Sequence, residues 1–417
     1  MVAEMLPRVR PREAQEFAIA NFRLPIANFQ RSRTQQIANR QLEISNMNVP
    51  LLDLQAQYAS VRDGVQQAVE RVLASQRFVL GDEVRQLEAS IAEYCQTEHA
   101  VGCASGSDAL LLALMALDVK AGDEVITSPF SFFATASAIV RLGAQPVFVD
   151  IDPRSYNIDP SRVSDAITPR TKVIMPVHIY GQCAPMDPLL DLGRRRGITV
   201  VEDAAQAIGA TDNDRRAGSM GAMGCFSFYP TKNLGGAGDG GIVTTNDDQI
   251  AQRLRRLRTH GGANEYEHEE VGINSRLDEL QAAVLNVKFQ RLDKWSEERS
   301  RKAAVYSQLL NDADLSFPLI TPQVRADGRH IFHQYVIRVP GNRDALMEHL
   351  KSHGVGTKVY YPIPLHRQQC FSNLGYKEGD YPESESAARD TFALPAYPEL
   401  TEEQQVYVVE TIKSFRP

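Results

Sequence analysis

The 417-residue chain has one Trp and only five Cys. Cys95, Cys103, Cys183, Cys225 and Cys370 form no CxxC pair, which sets aside a disulfide framework and a thiolate metal site, so reduced thiols in a cytoplasmic protein are expected. A basic surplus is also missing: 45 Lys and Arg stand against 52 Asp and Glu, a net charge of −7. No nucleic-acid partner is expected on that balance, although local Arg, Lys and helix ends can still hold an anionic small molecule. The longest uncharged stretch, Val125 to Val140, is 16 residues long, contains Ser, Thr and Pro, and is bounded by Glu124 and Arg141. It is too short and too polar to span a bilayer. The nine His show no HExxH or clustered spacing, so no metal is expected. Gly235 to Gly241 lacks the GKS or GKT ending of a P-loop and does not fit GxGxxG between a strand and a helix.

What is present is a core. At 43% hydrophobic content the chain can fill a large domain and a smaller one. Helical and strand patterns alternate, the signature of an α/β fold with a mostly parallel sheet and covering helices. Seven strands are expected, at 100–103, 124–127, 146–149, 172–177, 198–202, 225–228 and 241–244, with helices near 56–74, 82–95, 107–117, 184–196 and 247–258. A long amphipathic helix is expected from Ser275 past Trp295, with Leu277, Leu280, Val284 and Leu285 on one face. Beyond it, strands at 334–339 and 357–361 and helices near 343–353 and from Glu402 outline a smaller α+β domain. The expected division is therefore an extension over 1–46, a large domain over 47–294 and a small domain over 295–417. The extension has seven Arg, four Glu, no Lys and no sustained apolar period. It reads either as a misassigned upstream start or as a poorly ordered tail.

Two segments carry the chemistry. In ITVVEDAAQAIGA an apolar run ends in Glu202 and Asp203, at the carboxyl end of a buried parallel strand, where open α/β sheets bind ligands. In CFSFYPTKNLGGAGDGG a single Lys, Lys232, opens a glycine-rich loop that lets backbone approach a ligand closely. An amine that can form a Schiff base and a carboxylate that keeps a pyridine nitrogen protonated are the two groups pyridoxal 5'-phosphate needs. Ser105-Gly106-Ser107-Asp108 opens an apolar helix and offers a phosphate the free N–H groups of a helix start. Read alone, Ser107 is an ordinary N-cap, Asp203 a cap for Ala204 to Gln206, and Lys232 a solvated loop cation. In SPFSFFATASA, period-2 geometry puts Phe130 and Phe132 on one face. His178 either lines the site near Asp203 or is a satisfied core histidine.

These segments stand in order with NVPLLDLQAQY from Asn48, ASGSDALLLAL from Ala104, GDEVITSPFSFFATASAI from Gly122, PVFVDIDPRSYNID from Pro146, PVHIYGQ from Pro176 and GINSRLDELQAAVL from Gly272. Together they resemble the DegT/DnrJ/EryC1/StrS family of sugar aminotransferases, within the fold-type I pyridoxal phosphate enzymes. That resemblance implies Lys232 and Asp203 as catalytic residues, with Gly106, Ser107 and Ser227 at the phosphate, Phe132 stacked on the ring and Gln206 near its phenolic oxygen. It implies a homodimer in which Asn274 reaches the partner's cofactor phosphate, and it puts Arg276, Tyr361 and His366 among the residues that bind a nucleotide-linked keto sugar. Asn274 and Ser275 could equally cap a helix, and Arg276 could pair with Asp278 or Glu279. L-Glutamate is the implied amino donor. A dehydratase of the same family, in which His typically replaces the Schiff-base Lys, and a non-enzymatic regulator are the competing functions.

Overall fold

Apolar runs that alternate with amphipathic segments leave the chain one economical solution, a sheet buried between helices, and this is what forms. The computed structural model describes residues 47–262, 264 and 266–417. The expectation for 1–46 lies outside them. Seven strands, β1 (His99–Cys103), β2 (Glu124–Thr127), β3 (Gln145–Phe148), β4 (Thr171–Ile174), β5 (Thr199–Asp203), β8 (Met223–Ser227) and β9 (Gly241–Thr245), make one sheet in the order β1-β9-β8-β5-β4-β2-β3. Pairing is parallel from β8 through β5, β4 and β2 to β3, while β9 runs antiparallel to both β1 and β8. A short hairpin, β6 (Thr211–Asp212) with β7 (Arg215–Arg216), lies between β5 and β8. The sheet is therefore mixed but mostly parallel, with all seven expected strands present.

This strand order positions the site. The chain leaving β1 must cross β9, β8, β5 and β4 before reaching β2, and it begins that crossing as the helix Gly106–Ala116, which packs on β9 and β8 and is buried along most of its apolar length. Its first turn lies against Ser227, the last residue of β8. Helices 82–95, 186–196 and 248–257 form close to their expected bounds.

Four expectations are corrected. The first helix is two, Leu54–Ala59 and Arg62–Ser75, because Val61 leaves the helical region (φ −131°, ψ 5°). The long helix after Ser275 is also two, Glu279–Phe289 and Leu292–Asn311, parted where Arg291 N–H closes a tighter turn onto Lys288 C=O; Leu277 is buried but precedes it. The aromatic run after β2 is no strand: Phe132 stands at the N-cap position of the helix Phe133–Arg141, so Phe130 is fully buried while Phe132 is 60% exposed, and the two do not share a face. Residues 357–361 make only one bridge, Lys358 to Ala393, because Tyr361 turns into the left-handed region (φ 65°). The strand that pairs with β10 (Tyr335–Arg338) is instead β11 (Thr391–Leu394), antiparallel to it. With helices Arg343–Ser352, Pro382–Asp390 and Glu402–Ser414, these strands form the smaller α+β part.

Candidate active site

At the carboxyl ends of β5 and β8 a cavity of about 790 Å³ opens between the sheet and the segments 358–368 and 393–396. Lys232 and Asp203 both line it, and so do Gly106, Ser107, Phe132, Gln206, Ser227 and Tyr361. Eight of the eleven residues singled out from the sequence thus share one cavity. Asn274, Arg276 and His366 are not in its wall. Asn274 pairs through its backbone with Thr259, and its side chain is on the exterior. His366 is turned away: its Nε2 meets Glu385 Oε1 at 3.0 Å and its ring packs against Tyr381.

Asp203 ends β5 with its side chain 3% exposed. Thr135 Oγ1 donates to its Oδ2 at 2.7 Å, and Ala205 N–H donates to Oδ1 at 3.3 Å. Since the Thr135 proton is committed to Asp203, the 2.8 Å contact between Ser131 and Thr135 has Ser131 as donor. Burial pushes the Asp203 carboxyl above its ordinary range, against the pull of Thr135, Ala205 N–H, Lys232 and His178. Lys232 shows the complementary effect: burial lowers its pKa to about 8, while Asp203 acts to raise it. The two groups therefore sense one another across the cavity.

Ser105, not Ser107, caps the helix at 106, its Oγ accepting from Asp108 N–H at 3.1 Å. Ser107 is left exposed to the cavity. Gly106 has no room for a side chain, because a Cβ there would come 2.5 Å from Ser227 Cβ. The helix start and Ser227 thus form a tight cradle of N–H and hydroxyl donors of the kind a phosphate fills.

Gln206 is not on a helix but in the turn after β5. Its Oε1 accepts from Tyr180 N–H at 2.7 Å and its Nε2 donates to the Tyr361 hydroxyl. Tyr361 stacks on Tyr180 with centroids 6.4 Å apart, and both have positive φ. Such a backbone persists where packing over-determines it, here through Phe130, whose ring meets both tyrosine rings edge-on. His178 is a core histidine: it is fully buried, its Nε2 lies 2.9 Å from Glu202 Oε2, and its Nδ1 accepts from Ala184 N–H.

Sequence reasoning missed Thr135, Arg299 and His333, all in the cavity wall. A helical reading of ATASAIV would have placed Thr135 one turn after Ser131; Arg299 and His333 come from the smaller part of the fold and carried no local signal.

The pyridoxal phosphate fit is thus met by an amine, a buried carboxylate and an anion cradle around one cavity. Residues 60–413 match the model of the DegT/DnrJ/EryC1/StrS aminotransferase family. The chain belongs to that family. It is a pyridoxal phosphate-dependent aminotransferase by membership. It is 53% identical over 88% of its length to a pleiotropic regulatory protein of Geobacillus stearothermophilus, covering 99% of that protein. With a UDP-N-acetyl-3-dehydro-alpha-D-glucosamine 3-aminotransferase of Acidithiobacillus ferrooxidans it shares 44% identity, covering 88% of this chain and 98% of that one. Among solved structures, S. venezuelae DesV superposes with a TM-score of 0.85 at 43% identity, over 88% of this chain and 98% of that one.

Proposed function

We propose that this aminotransferase moves the amino group of L-glutamate to a keto group on a nucleotide-linked sugar, in amino-sugar or surface polysaccharide synthesis. The observation that carries the reading is the facing of Lys232 and Asp203 in one cavity beside the Gly106–Ser227 cradle. Pyridoxal phosphate, when bound, supplies an aldehyde and an electron-accepting ring. Lys232 Nζ would hold the aldehyde, Asp203 the pyridine nitrogen, and Gly106, Ser107 and Ser227 the phosphate. Phe132 would cover the ring, and Gln206 would lie near the phenolic oxygen.

Lys232 has the second task of moving a proton from the donor's α carbon, and later back to the carbon that receives the amine. An amine with a pKa lowered to about 8 is neutral in roughly a tenth to a fifth of molecules near physiological pH, far more than an ordinary lysine, which equips it to act as a base. Asp203 offsets developing negative charge by keeping its ring partner protonated, and Thr135 holds its carboxylate in place. Tyr361, fixed by Gln206, is offered to the sugar. Asn274 and Arg276 lie outside the chain's own cavity, which suits delivery to a partner's site in a two-fold homodimer. Five free cysteines suit a reducing cytoplasm, and no described helix is long and apolar enough to cross a membrane.

The Lys at position 232 favours amino transfer over the dehydratase branch, and a regulator would have no use for a buried amine facing a buried acid. Incubation with L-glutamate and a panel of 3-keto and 4-keto nucleotide sugars, followed by mass spectrometry, tests the reading. An aminated sugar with equimolar 2-oxoglutarate is expected; glutamate left intact with every sugar would sink it.

A further inference from the structure

Arg299, in the helix Leu292–Asn311, is 2% exposed and lines the cavity. Its Nη1 donates to three backbone carbonyls, Ala396 at 2.6 Å and Phe332 and His333 at 3.4 Å each. Nε and Nη2 have no hydrogen-bond partner among the described residues, and neither belongs to the polar atoms sealed inside the protein. No carboxylate of the described residues pairs with this guanidinium; Glu399 acts on it only through its field, and burial lowers its pKa to about 10. A buried cation is ordinarily paired, since desolvation without a partner is costly. Here no carboxylate of the described residues fills that role, and the side chain stands in the cavity wall.

The place has a neighbour. His333 also lines the cavity, and Asn233 fixes its tautomer: Asn233 Nδ2 donates to Ile331 C=O at 3.2 Å, so its Oδ1 must accept from His333 Nδ1–H at 3.1 Å. Lys232 and Arg299 are the two cations that act on that imidazole. Arg299, His333 and Lys232 thus line one cavity, with both cations acting on the same imidazole.

We propose that Arg299 is the receptor for the α-carboxylate of the amino donor, taking it through Nε and Nη2 while Nη1 stays anchored to the backbone. The inference rests on the aminotransferase reading. A guanidinium so held presents a fork of fixed direction, which matches a carboxylate bidentately and selects amino acids over simple amines.

Rapid mixing of the holoenzyme with L-glutamate and with 4-aminobutanoate, which lacks the α-carboxylate, tests it. Wild type should prefer L-glutamate. Arg299→Gln should lose roughly 10- to 100-fold in the L-glutamate half-reaction and little with 4-aminobutanoate. Arg299→Lys, which retains a donor for Ala396 C=O, should lose less and keeps the test open if the Gln variant misfolds. Calorimetric titration of each holoenzyme with glutarate, an unreactive dicarboxylate, should show affinity falling by a similar factor. Equal losses with both amines, no wild-type preference, or unchanged glutarate affinity would overturn the assignment. If wild type reacts with no amino acid at all, the aminotransferase reading falls instead, and the glutarate titration still decides the arginine.

Discussion

Glu202 and Asp203 are neighbours on β5 whose carboxylates point to opposite sides of the sheet, as strand geometry requires. Glu202 is saturated: Oε1 accepts from Met220 and Gly221 N–H at 2.8 and 2.7 Å, and Oε2 from Gly218 N–H at 2.7 Å, with His178 Nε2 2.9 Å away. Asp203 keeps its cavity side free. One acid builds the floor and the other works above it.

Glu202→Gln should therefore be a stability defect. Replacing one oxygen by NH₂ leaves at least one buried N–H facing another donor, at a cost of about 2–5 kcal/mol. Chemical denaturation of the cofactor-free protein measures it; an unchanged midpoint would mean the 218–221 turn is held by other contacts.

Asp203→Asn should do the reverse. Folding raises the Asp203 pKa, so the folded state binds this proton more tightly than the unfolded state. Its favourable linkage is fully present below the ordinary carboxylate pKa and is lost as pH rises through the raised value, leaving a buried charge at neutral pH. The cofactor-free variant should melt at or above the wild-type temperature near pH 7, while holoenzyme turnover falls by orders of magnitude. Near-normal turnover would remove Asp203 from the chemistry.

Lys232→Ala should fold, yet retain no cofactor that borohydride can fix to the protein. In wild type the rate of cofactor capture should rise with pH around an inflection near 8, the lowered pKa of Lys232, well below that of a free lysine. An inflection near the ordinary lysine value would show that the amine is solvated before capture.

Mixed dimers test Asn274. If Asn274→Asp and Lys232→Ala are each inactive, unfolding them and refolding them together should return up to half of wild-type activity per mixed dimer. One site then has Lys232 from one chain and Asn274 from the other, while the second site collects both defects. Verified mixed dimers without activity would exclude delivery in trans.

The legible parts of the sequence were those in which local pattern and final environment agree. β2 is Glu124–Thr127 in both readings because EVIT is fully buried and sharply bounded. Asp203 and Lys232 were legible as an acid ending a strand and an amine opening a glycine loop. The helix breaks at Val61 and Gln290–Arg291 carry neither Pro nor Gly and so gave no signal. Phe130 and Phe132 misled because alternation was assumed where Phe132 ends a loop. Arg299 was unreadable for another reason: its meaning lies in carbonyls contributed by residues 332, 333 and 396, which only tertiary structure assembles.

The antiparallel course of β9 has a consequence for how the molecule comes into being. Lys232 lies in the connection between β8 and β9, and Asp203 ends the strand beside β8, so residues 199–245 alone can unite amine and acid. The cradle cannot form so locally: Gly106 must arrive from an edge strand over a hundred residues earlier to meet Ser227. Long closures of this kind are paid in chain entropy before contact rewards them. During refolding, far-ultraviolet ellipticity should return before the capacity to retain pyridoxal phosphate, which makes cofactor retention a clock for the last large loop to close.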